Sequence, residues 1–257
     1  MLILLSPSKT LDFQSPLPSV DGETPRFAAD ANRLVRTLAK LSPEEIARLM
    51  RVSGALAART QAFYAAWKHR DPGPRARPAW AAYQGDVYAG LDASTLSEAD
   101  LGFAQGRLAI LSGLYGVLRL RDAIQPYRLE MSTPLAVGKA ADLASFWRPK
   151  ITPALAEMRE QTGASLVVNL ASDEYARAVD FDQLGGRVIT PSFKEEQGGK
   201  YRFLSVYGKR ARGLMARWLI EQRVADVEGL EQFRRDGYRR NRQLSTAAAP
   251  VFTRPQP

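Results

Sequence analysis

Three segments of the chain share one pattern, in which an apolar run is followed closely by polar or cationic side chains. The three sets are Ser6, Lys9 and Thr10; Asn169, Ser172, Asp173, Glu174 and Tyr175; and Lys209, Arg210 and Arg212. Lysine and arginine donate hydrogen bonds to phosphate oxygens, and a carboxyl group among them can transfer a proton. If the three runs are neighbouring strands of an open α/β sheet, their carboxyl ends bring these sets into one crevice. These residues are therefore candidates for a ligand or anion cleft.

Lys9 lies in the string SPSKT, where a Lys-Thr pair follows a strand as it does in some phosphate sites. No glycine-rich loop surrounds it, so a P-loop is not predicted. Lys9 is expected either to act as a point charge for a phosphate or to pair with Glu174, and the alternative is a solvated loop lysine. Ser172 also has two interpretations, because it is a suitable N-cap for the helix EYARAV. We expect Lys9, Glu174 and Arg212 to line one cleft.

The composition of the 257 residues excludes several kinds of active site. There is no cysteine and one histidine, His69. Disulfides, thiolate nucleophiles and cysteine-ligated metals are therefore excluded, and His69 is expected at the surface before a proline turn. Carboxylates such as Asp12, Asp173 and Glu174 are the remaining ligands for a hard metal ion. No metal site and no cofactor are predicted, and the catalytic residues, if there are any, are unknown.

The net charge favours a polyanionic partner. The chain has 36 basic and 27 acidic residues, a net charge of +9, and residues 207–257 contain 11 basic and 5 acidic side chains. A clustered excess of this kind suits nucleic acid or a phosphorylated ligand. The alternative is a basic protein whose charge serves solubility.

Two helical patterns meet at Ser53-Gly54. The first begins with a capping box between Ser42 and Glu45, and the second continues through ALAARTQAFYAAWKH. Such a pair can present backbone N–H groups and a positive helix N-terminus to a DNA phosphate. The candidate DNA-binding residues here are Arg48, Arg51, Ser53, Gly54 and Arg59. A plain pair of helices packed on the sheet is the alternative.

A further helix is predicted over about 209–223, with an apolar stripe on one side and basic residues on the other. Gly213 and Ala216 lie between the basic residues, which suggests a flat face that a DNA backbone can approach closely. The candidate DNA-binding residues on this helix are Lys209, Arg210, Arg212 and Arg217. The alternative is a solvated charged face.

Strands mixed with helices indicate one α/β domain over 1–244, with a mixed central sheet flanked by helices. The strands are expected at 2–5, 108–111, 166–170, 187–192 and 201–207, and a helix over 140–161 is expected to be interrupted near Pro149 and Pro153. The tail 245–257 is expected to be largely irregular. No apolar stretch is long enough to span a bilayer, and the start does not have the pattern of a signal peptide.

Several unusual strings resemble the bacterial YaaA family of peroxide-stress proteins over about residues 1–238. They are LLSPSKTLDFQSPLP, GDVYAGLDASTLSEADLGFAQGRLAILSGLYGVLR, IQPYRLEM, NLASDEYARAV and YGKRARGLMARWLIEQR. The resemblance implies a cytoplasmic protein, induced by hydrogen peroxide, that keeps unincorporated iron low. It also implies a basic cleft at the strand ends and a helix-hairpin-helix element linked to DNA binding, which falls at about 42–67 here. It implies no established catalytic mechanism and no metal site.

Three positions depart from the family pattern. Leu120 replaces the common proline, Gly208 replaces the usual alanine, and the string RRNRQ after Tyr238 replaces an acidic segment. The last departure makes the C-terminal part more basic, which strengthens the expectation of a polyanionic partner.

These observations lead to one main hypothesis and two alternatives. The main hypothesis is a cytoplasmic peroxide-stress protein that binds duplex DNA with little sequence preference and limits iron-driven oxidative damage. The first alternative is an enzyme acting on a nucleotide or another phosphorylated small molecule, with Lys9, Lys209 and Arg212 on the phosphate and Glu174 as acid or base. Asn169 and Ser172 orient the ligand in that alternative. The second alternative is an iron-handling or partner-binding protein.

Overall fold

The computed structural model describes residues 1–16, 22–70 and 73–255. Its strands are β1 Leu2–Leu5, β2 Arg77–Pro78, β3 Leu108–Ser112, β4 Gly116–Leu118, β5 Ala123–Ile124, β6 Leu166–Asn169, β7 Arg187–Ile189, β8 Ser192–Gln197, β9 Lys200–Arg202, β10 Arg239–Arg240 and β11 Val251–Pro255. Its α-helices are α1 Ala28–Leu38, α2 Pro43–Met50, α3 Gly54–Ala65, α4 Ala79–Ala82, α5 Asp86–Leu91, α6 Glu98–Gln105, α7 Leu143–Gln161, α8 Asp173–Ala176, α9 Phe181–Leu184, α10 Ser205–Glu221 and α11 Val227–Glu231. Within these described ranges, no helix is long and apolar enough to cross a membrane.

The central sheet has five strands in the order β4-β3-β1-β6-β7. β1 pairs in parallel with β3 and β6, and Ile3 lies opposite Leu108 on one side and Val168 on the other. β7 continues the parallel set beside β6, whereas β4 is antiparallel to β3. Every residue of β1, β3 and β6 is buried, as expected for parallel strands covered on both faces. The predicted mixed central sheet is thus confirmed.

A second sheet has the order β10-β11-β8-β9, and β2 pairs separately with β5. The sequence predicts a largely irregular tail, whereas Val251–Pro255 form β11, parallel to β8. The physical reason is burial, because Phe252 and Arg254 are both covered by the protein. The tail is therefore part of the folded unit up to Pro255.

Two of the predicted elements differ from the structure. The helix α7 is continuous through Pro149 and Pro153, and buried side chains such as Trp147 and Leu155 hold it against the protein. The strand predicted at 201–207 is shorter in the structure, where β9 spans Lys200–Arg202 and follows a hairpin turn at Gly198 and Gly199, both with positive φ. α10 then begins at Ser205, so the third cationic set lies on the first turns of a helix rather than beyond a strand.

The helices α2 and α3 are joined by residues 51–53. The capping box between Ser42 and Glu45 is confirmed, and Ser53 caps the N-terminus of α3. Arg51 adopts the left-handed conformation with φ of 53° at the end of α2. On α3, the buried Tyr64 donates a hydrogen bond to the carbonyl of Arg128, which fixes this helix beside the segment that follows β5.

The helices α5 and α10 pack directly against each other through glycines. A Cβ atom on Gly213 would lie 1.8 Å from the carbonyl oxygen of Val87, and one on Gly90 would lie 2.2 Å from that of Arg210. Gly213 and Ala216 are buried in the structure. The interpretation of these small residues as a flat face for a DNA backbone is therefore wrong, because their small size serves the helix crossing.

Candidate functional site

The carboxyl ends of β1 and β6 bring together two of the sets selected from the sequence. The backbone N–H of Ser172 donates to the Oγ of Ser6 at 2.8 Å, and the two hydroxyl oxygens are 3.2 Å apart. Ser172 is the N-cap residue of α8, but its hydroxyl makes no capping hydrogen bond. Its side chain therefore joins the two strand-end loops instead of completing the helix.

Arg212 of α10 is a partly buried cation whose charge interacts with that of Asp173, the residue after Ser172. Burial lowers the pKa of its guanidinium, and the nearby carboxylate of Asp173 opposes that effect. Within the described parts of the chain, its guanidinium makes no hydrogen bond and no ion pair within 4 Å. A cation that is withdrawn from water without a bonded partner favours an anionic ligand. We call Ser6, Ser172, Asp173 and Arg212 the strand-end site.

Lys9 follows Ser6 by three residues, and its side chain is 64% exposed. Its Nζ atom lies 3.7 Å from Oε1 of Glu130, and Arg128 contacts the same oxygen at 2.5 Å. Glu174 instead accepts hydrogen bonds from the backbone N–H and the hydroxyl of Ser132, at 3.2 and 2.8 Å. The predicted pairing of Lys9 with Glu174 is therefore wrong, because each of the two side chains has a different partner.

Glu130 and Arg128 are residues of this region that the sequence reasoning missed. Both lie in the string IQPYRLEM, which contributes to the family resemblance and from which the sequence predicts no site residue. Glu130 is nearly buried, so its two cationic partners compensate its charge. The signal that could have found it is an acidic residue placed between the apolar Leu129 and Met131, both buried in the structure.

A group of buried tyrosines lies directly beneath these loops. The Oη atoms of Tyr83 and Tyr127 are 2.6 Å apart, and that of Tyr127 lies 2.7 Å from the hydroxyl of Ser112. Tyr88 donates to the carbonyl of Ser6 at 3.0 Å. Burial raises the pKa of Tyr127 to about 12 and that of Tyr88 well above its ordinary value, so these phenols stay neutral. Neutral hydroxyls can donate hydrogen bonds, and Tyr88 thereby holds the loop that carries Ser6 and Lys9.

Asn169 and Tyr175 also hold backbone segments in place. The side-chain oxygen of Asn169 accepts from the N–H of Ala171 at 3.1 Å, which shapes the turn after β6. Tyr175 is buried, with its hydroxyl against the backbone of Met131, and burial raises its pKa. Thr10 is exposed, and its carbonyl accepts a hydrogen bond from the N–H of Gln84.

A groove of about 430 Å³ joins the loop after β1 to α3. Lys9 and Thr10 line it from the loop, Arg59 and Phe63 from α3, and Arg128 from the segment after β5. The guanidinium of Arg59 lies 5.5 Å from the centre of the Phe63 ring. We call this feature the α3 groove. It brings one cation of the helix pair close to the loop of the strand-end site.

The remaining candidate cations have two kinds of environment. Arg48 and Arg51 on the helix pair, and Lys209 and Arg210 on α10, are exposed, as are Ser53 and Gly54. Arg217 instead donates to the carbonyl of Asp92 and the hydroxyl of Thr95, at 2.7 and 2.8 Å, and pairs with Glu221 at 2.7 Å. The charge of Arg217 therefore serves to hold α10 beside the end of α5.

The carboxylates considered for a metal ion have other partners or stand apart. Asp12 accepts hydrogen bonds from the backbone of Gln14 and Ser15, and contacts with Ser15 lower its pKa to about 2. It also lies 3.5 Å from Arg77. Over residues 1–16, 22–70 and 73–255, no three carboxylate or imidazole groups are placed to share a metal ion.

Comparison with known proteins shows which family this chain matches. A family model described as peroxide stress protein YaaA matches residues 1–244. A UPF0246 protein of Saccharophagus degradans is 43% identical to this chain over 256 residues, and the match covers the whole length of both proteins. A UPF0246 protein of Tolumonas auensis is 44% identical to this chain over 256 residues, and the match covers 98% of that protein and 100% of this chain. A UPF0246 protein of Laribacter hongkongensis is 46% identical over 256 residues, and the match covers 99% of each.

Proposed function

The chain belongs to the peroxide stress protein YaaA family, and from this premise we propose that it binds duplex DNA, with little sequence preference, during peroxide stress. Under this proposal it is a cytoplasmic protein that limits damage driven by free iron. The DNA backbone lies along the α3 groove and against the helix pair α2–α3, which acts as a helix-hairpin-helix element. The strand ends then form part of a basic cleft.

The observation that carries the proposal is the α3 groove. Lys9, Arg59 and Arg128 line it, and the exposed Arg48 and Arg51 lie on the same helix pair as Arg59. No carboxylate lies within 4 Å of Arg48, Arg51 or Arg59 in the part of the chain that the structure describes. Cations without a nearby carboxylate on this helix pair suit phosphate contacts, which position a protein on DNA without reading its sequence.

Salt dependence tests the proposal. Binding of a labelled duplex of about 20 base pairs is measured by fluorescence anisotropy between about 50 and 200 mM salt. Because each neutralised phosphate releases counterions, four to six contacts predict a slope of about −4 to −5 in log K against log salt. Similar affinity is expected for duplexes of unrelated sequence. Binding that is absent, or that does not change with salt, contradicts the proposal.

The physiological part of the proposal has its own test. A bacterial strain lacking this gene is expected to be hypersensitive to hydrogen peroxide, and a membrane-permeable iron chelator is expected to relieve that sensitivity. The physical reason is that unincorporated ferrous iron reduces peroxide to hydroxyl radical beside DNA. Unchanged survival in a strain without redundant peroxide defences contradicts this part.

A second candidate function is binding, and chemical conversion, of a nucleotide or another phosphorylated small molecule at the strand-end site. The partly buried Arg212, without a bonded partner among the described residues, favours it. Ser6 and Ser172 offer hydroxyls at the strand ends, and Lys9 offers an exposed charge. In this candidate Glu174 is the acid or base.

Lys9→Ala is expected to weaken the binding of inorganic pyrophosphate by about 3- to 10-fold, because a largely exposed ammonium contributes one modest charge. Isothermal titration calorimetry measures the affinity, and the melting temperature is expected to stay unchanged. Lys139→Ala is the matched control, because Lys139 is an exposed lysine elsewhere. Equal affinity in the wild type and Lys9→Ala removes Lys9 from the anion site.

A further inference from the structure

The hairpin formed by β8 and β9, together with the start of α10, exposes an unusual group of apolar side chains. Tyr201 is 41% exposed, Phe203 53% and Val206 62%, and they are three of the four large apolar side chains most exposed in the described chain. They lie within six consecutive residues. Scattered exposed apolar residues are ordinary, whereas grouped ones mark an interaction site.

Phe203 is held in place despite its exposure. A Cβ atom on Gly208 would lie 2.4 Å from Cε2 of Phe203, so the ring lies directly against the backbone of the first turn of α10. The other side of the ring remains open to solvent. Gly208 has no methyl group, and this leaves the room that the ring occupies. The aromatic surface is therefore built into this chain.

Four exposed cations lie close to the two aromatic residues in the chain. Lys200 and Arg202 alternate with Tyr201 and Phe203 along the chain, and Lys209 and Arg210 follow on α10; within the described residues, none of these four cations has an ion pair. The exposed acidic neighbour on the hairpin is Glu196, which pairs with Tyr201 across the two strands. The surface is thus aromatic and strongly positive.

We propose that this surface, the hairpin site, binds unpaired bases of single-stranded DNA, with bases stacked on Tyr201 and Phe203 and phosphates on the four cations. Single-stranded nucleic acid is recognised by this combination, because every base has a face that stacks and every linkage carries a charge. The proposal rests on the proposed DNA binding. It adds a second contact, for the strand that has left the duplex.

The position of β9 supplies an alternative explanation for part of this pattern. β9 is the last strand of its sheet, and cations on an edge strand prevent pairing with other chains. That explanation accounts for Lys200 and Arg202. It does not account for the exposed rings of Tyr201 and Phe203, which on their own increase the risk of association. A ligand that carries both negative charge and flat apolar faces accounts for the two cations and the two rings of this strand and its end.

The hairpin site is continuous with the strand-end site through α10. Lys209 and Arg210 are exposed on the first turns of this helix, and Arg212 interacts with the charge of Asp173 beside the strand ends. Lys209 and Arg212 are three residues apart, so they are neighbours on one face of the helix, with a rise of about 4.5 Å between them. A single strand that crosses the hairpin site can therefore continue toward Arg212.

The test compares the double variant Tyr201→Ala/Phe203→Ala with the wild type on two labelled probes, an oligothymidylate and a duplex, each of about 20 nucleotides or base pairs. Loss of two stacked bases is expected to weaken oligothymidylate binding by about 10- to 100-fold. Duplex binding is expected to change by less than about 2-fold, because the proposed phosphate contacts there lie on other elements. Leu244→Ala, at an exposed apolar residue outside the hairpin, is the matched control and is expected to bind both probes normally.

Gly208→Ala tests the same site without removing an aromatic ring. The added methyl group must displace the ring of Phe203, so oligothymidylate binding is expected to fall by about as much as with Phe203→Ala alone, with the melting temperature retained. Because Phe203 is exposed, its ring can move without disturbing the core. Normal binding by Gly208→Ala and by the double variant overturns the hairpin site.

The remaining outcomes distinguish the two proposals. Wild-type protein that binds the duplex but not oligothymidylate overturns the hairpin site and leaves the proposed duplex binding standing. Equal losses on both probes overturn base stacking, because they indicate a general phosphate surface. Tighter binding to oligouridylate than to oligothymidylate assigns the surface to RNA and also overturns the proposal. No binding to either DNA probe overturns the proposed function itself.

Discussion

Reversing the charge of Arg48, Arg51 and Arg59 together is expected to weaken duplex DNA binding by about 10²- to 10³-fold near 0.1 M salt. Each phosphate contact contributes roughly tenfold there through counterion release, and these three cations lack competing carboxylates within 4 Å among the described residues. The loss is expected to be uniform across DNA sequences, with the slope of log K against log salt reduced by about 3. Fluorescence anisotropy over a salt series measures both quantities.

A matched control separates a local effect from the change in net charge. The variant Lys139→Glu/Arg234→Glu/Arg242→Glu changes the net charge by the same amount at exposed residues that do not line the α3 groove. It is expected to bind duplex DNA within about 5-fold of the wild type, because distant charges are screened. If the two triple variants lose affinity equally, the helix pair is not the contact.

Arg254→Ala is expected to lower the free energy of unfolding by about 3–5 kcal/mol, because it leaves the fully buried Glu195 without its cation. The Nε atom of Arg254 lies 3.6 Å from Oε1 of Glu195, and its Nη1 atom donates to the carbonyl of Asp236 at 3.0 Å. Tyr238 donates a hydrogen bond to Glu195, and the Arg254 guanidinium lies 4.5 Å from the centre of its ring. This network joins β11 to β8 and to the segment before β10.

Urea unfolding followed by circular dichroism measures the effect. Arg242→Ala, which removes an exposed arginine from the same part of the chain, is expected to change the free energy of unfolding by less than about 0.5 kcal/mol. The double variant Glu195→Leu/Arg254→Met is expected to recover most of the stability, because replacing both buried charges removes the cost of leaving one unpaired. A loss below about 1 kcal/mol in Arg254→Ala shows that β11 is not held by this network.

Local sequence signals predict the secondary structure correctly where neighbouring residues determine it. The run at 2–5, the capping box of Ser42 and Glu45, and the strand at 108–111 are confirmed, because apolar period and capping act over a few residues. The contact between Ser6 and Ser172 also follows from the sequence, since parallel strands end at one edge of a sheet.

Long-range partners could not be read from the sequence. The pairing of Lys9 with Glu130 depends on how the segment after β5 returns to the strand ends, and no periodicity encodes that path. The prediction of a flat face at Gly213 is wrong for a similar reason, because only the crossing of α5 and α10 shows what its missing side chain makes room for. β11 was missed because one apolar pair, Val251 and Phe252, is too short a signal for a strand.

A crystal structure of the protein bound to a duplex of about 20 base pairs tests the central claim most directly, because it shows which surface faces the DNA backbone. The account predicts phosphate oxygens within hydrogen-bond distance of Arg59 and Lys9, with the connection between α2 and α3 against the DNA backbone. Complexes with duplexes of different sequence are expected to share no contacts to base edges. A duplex bound on another face, with the α3 groove open to solvent, contradicts the account.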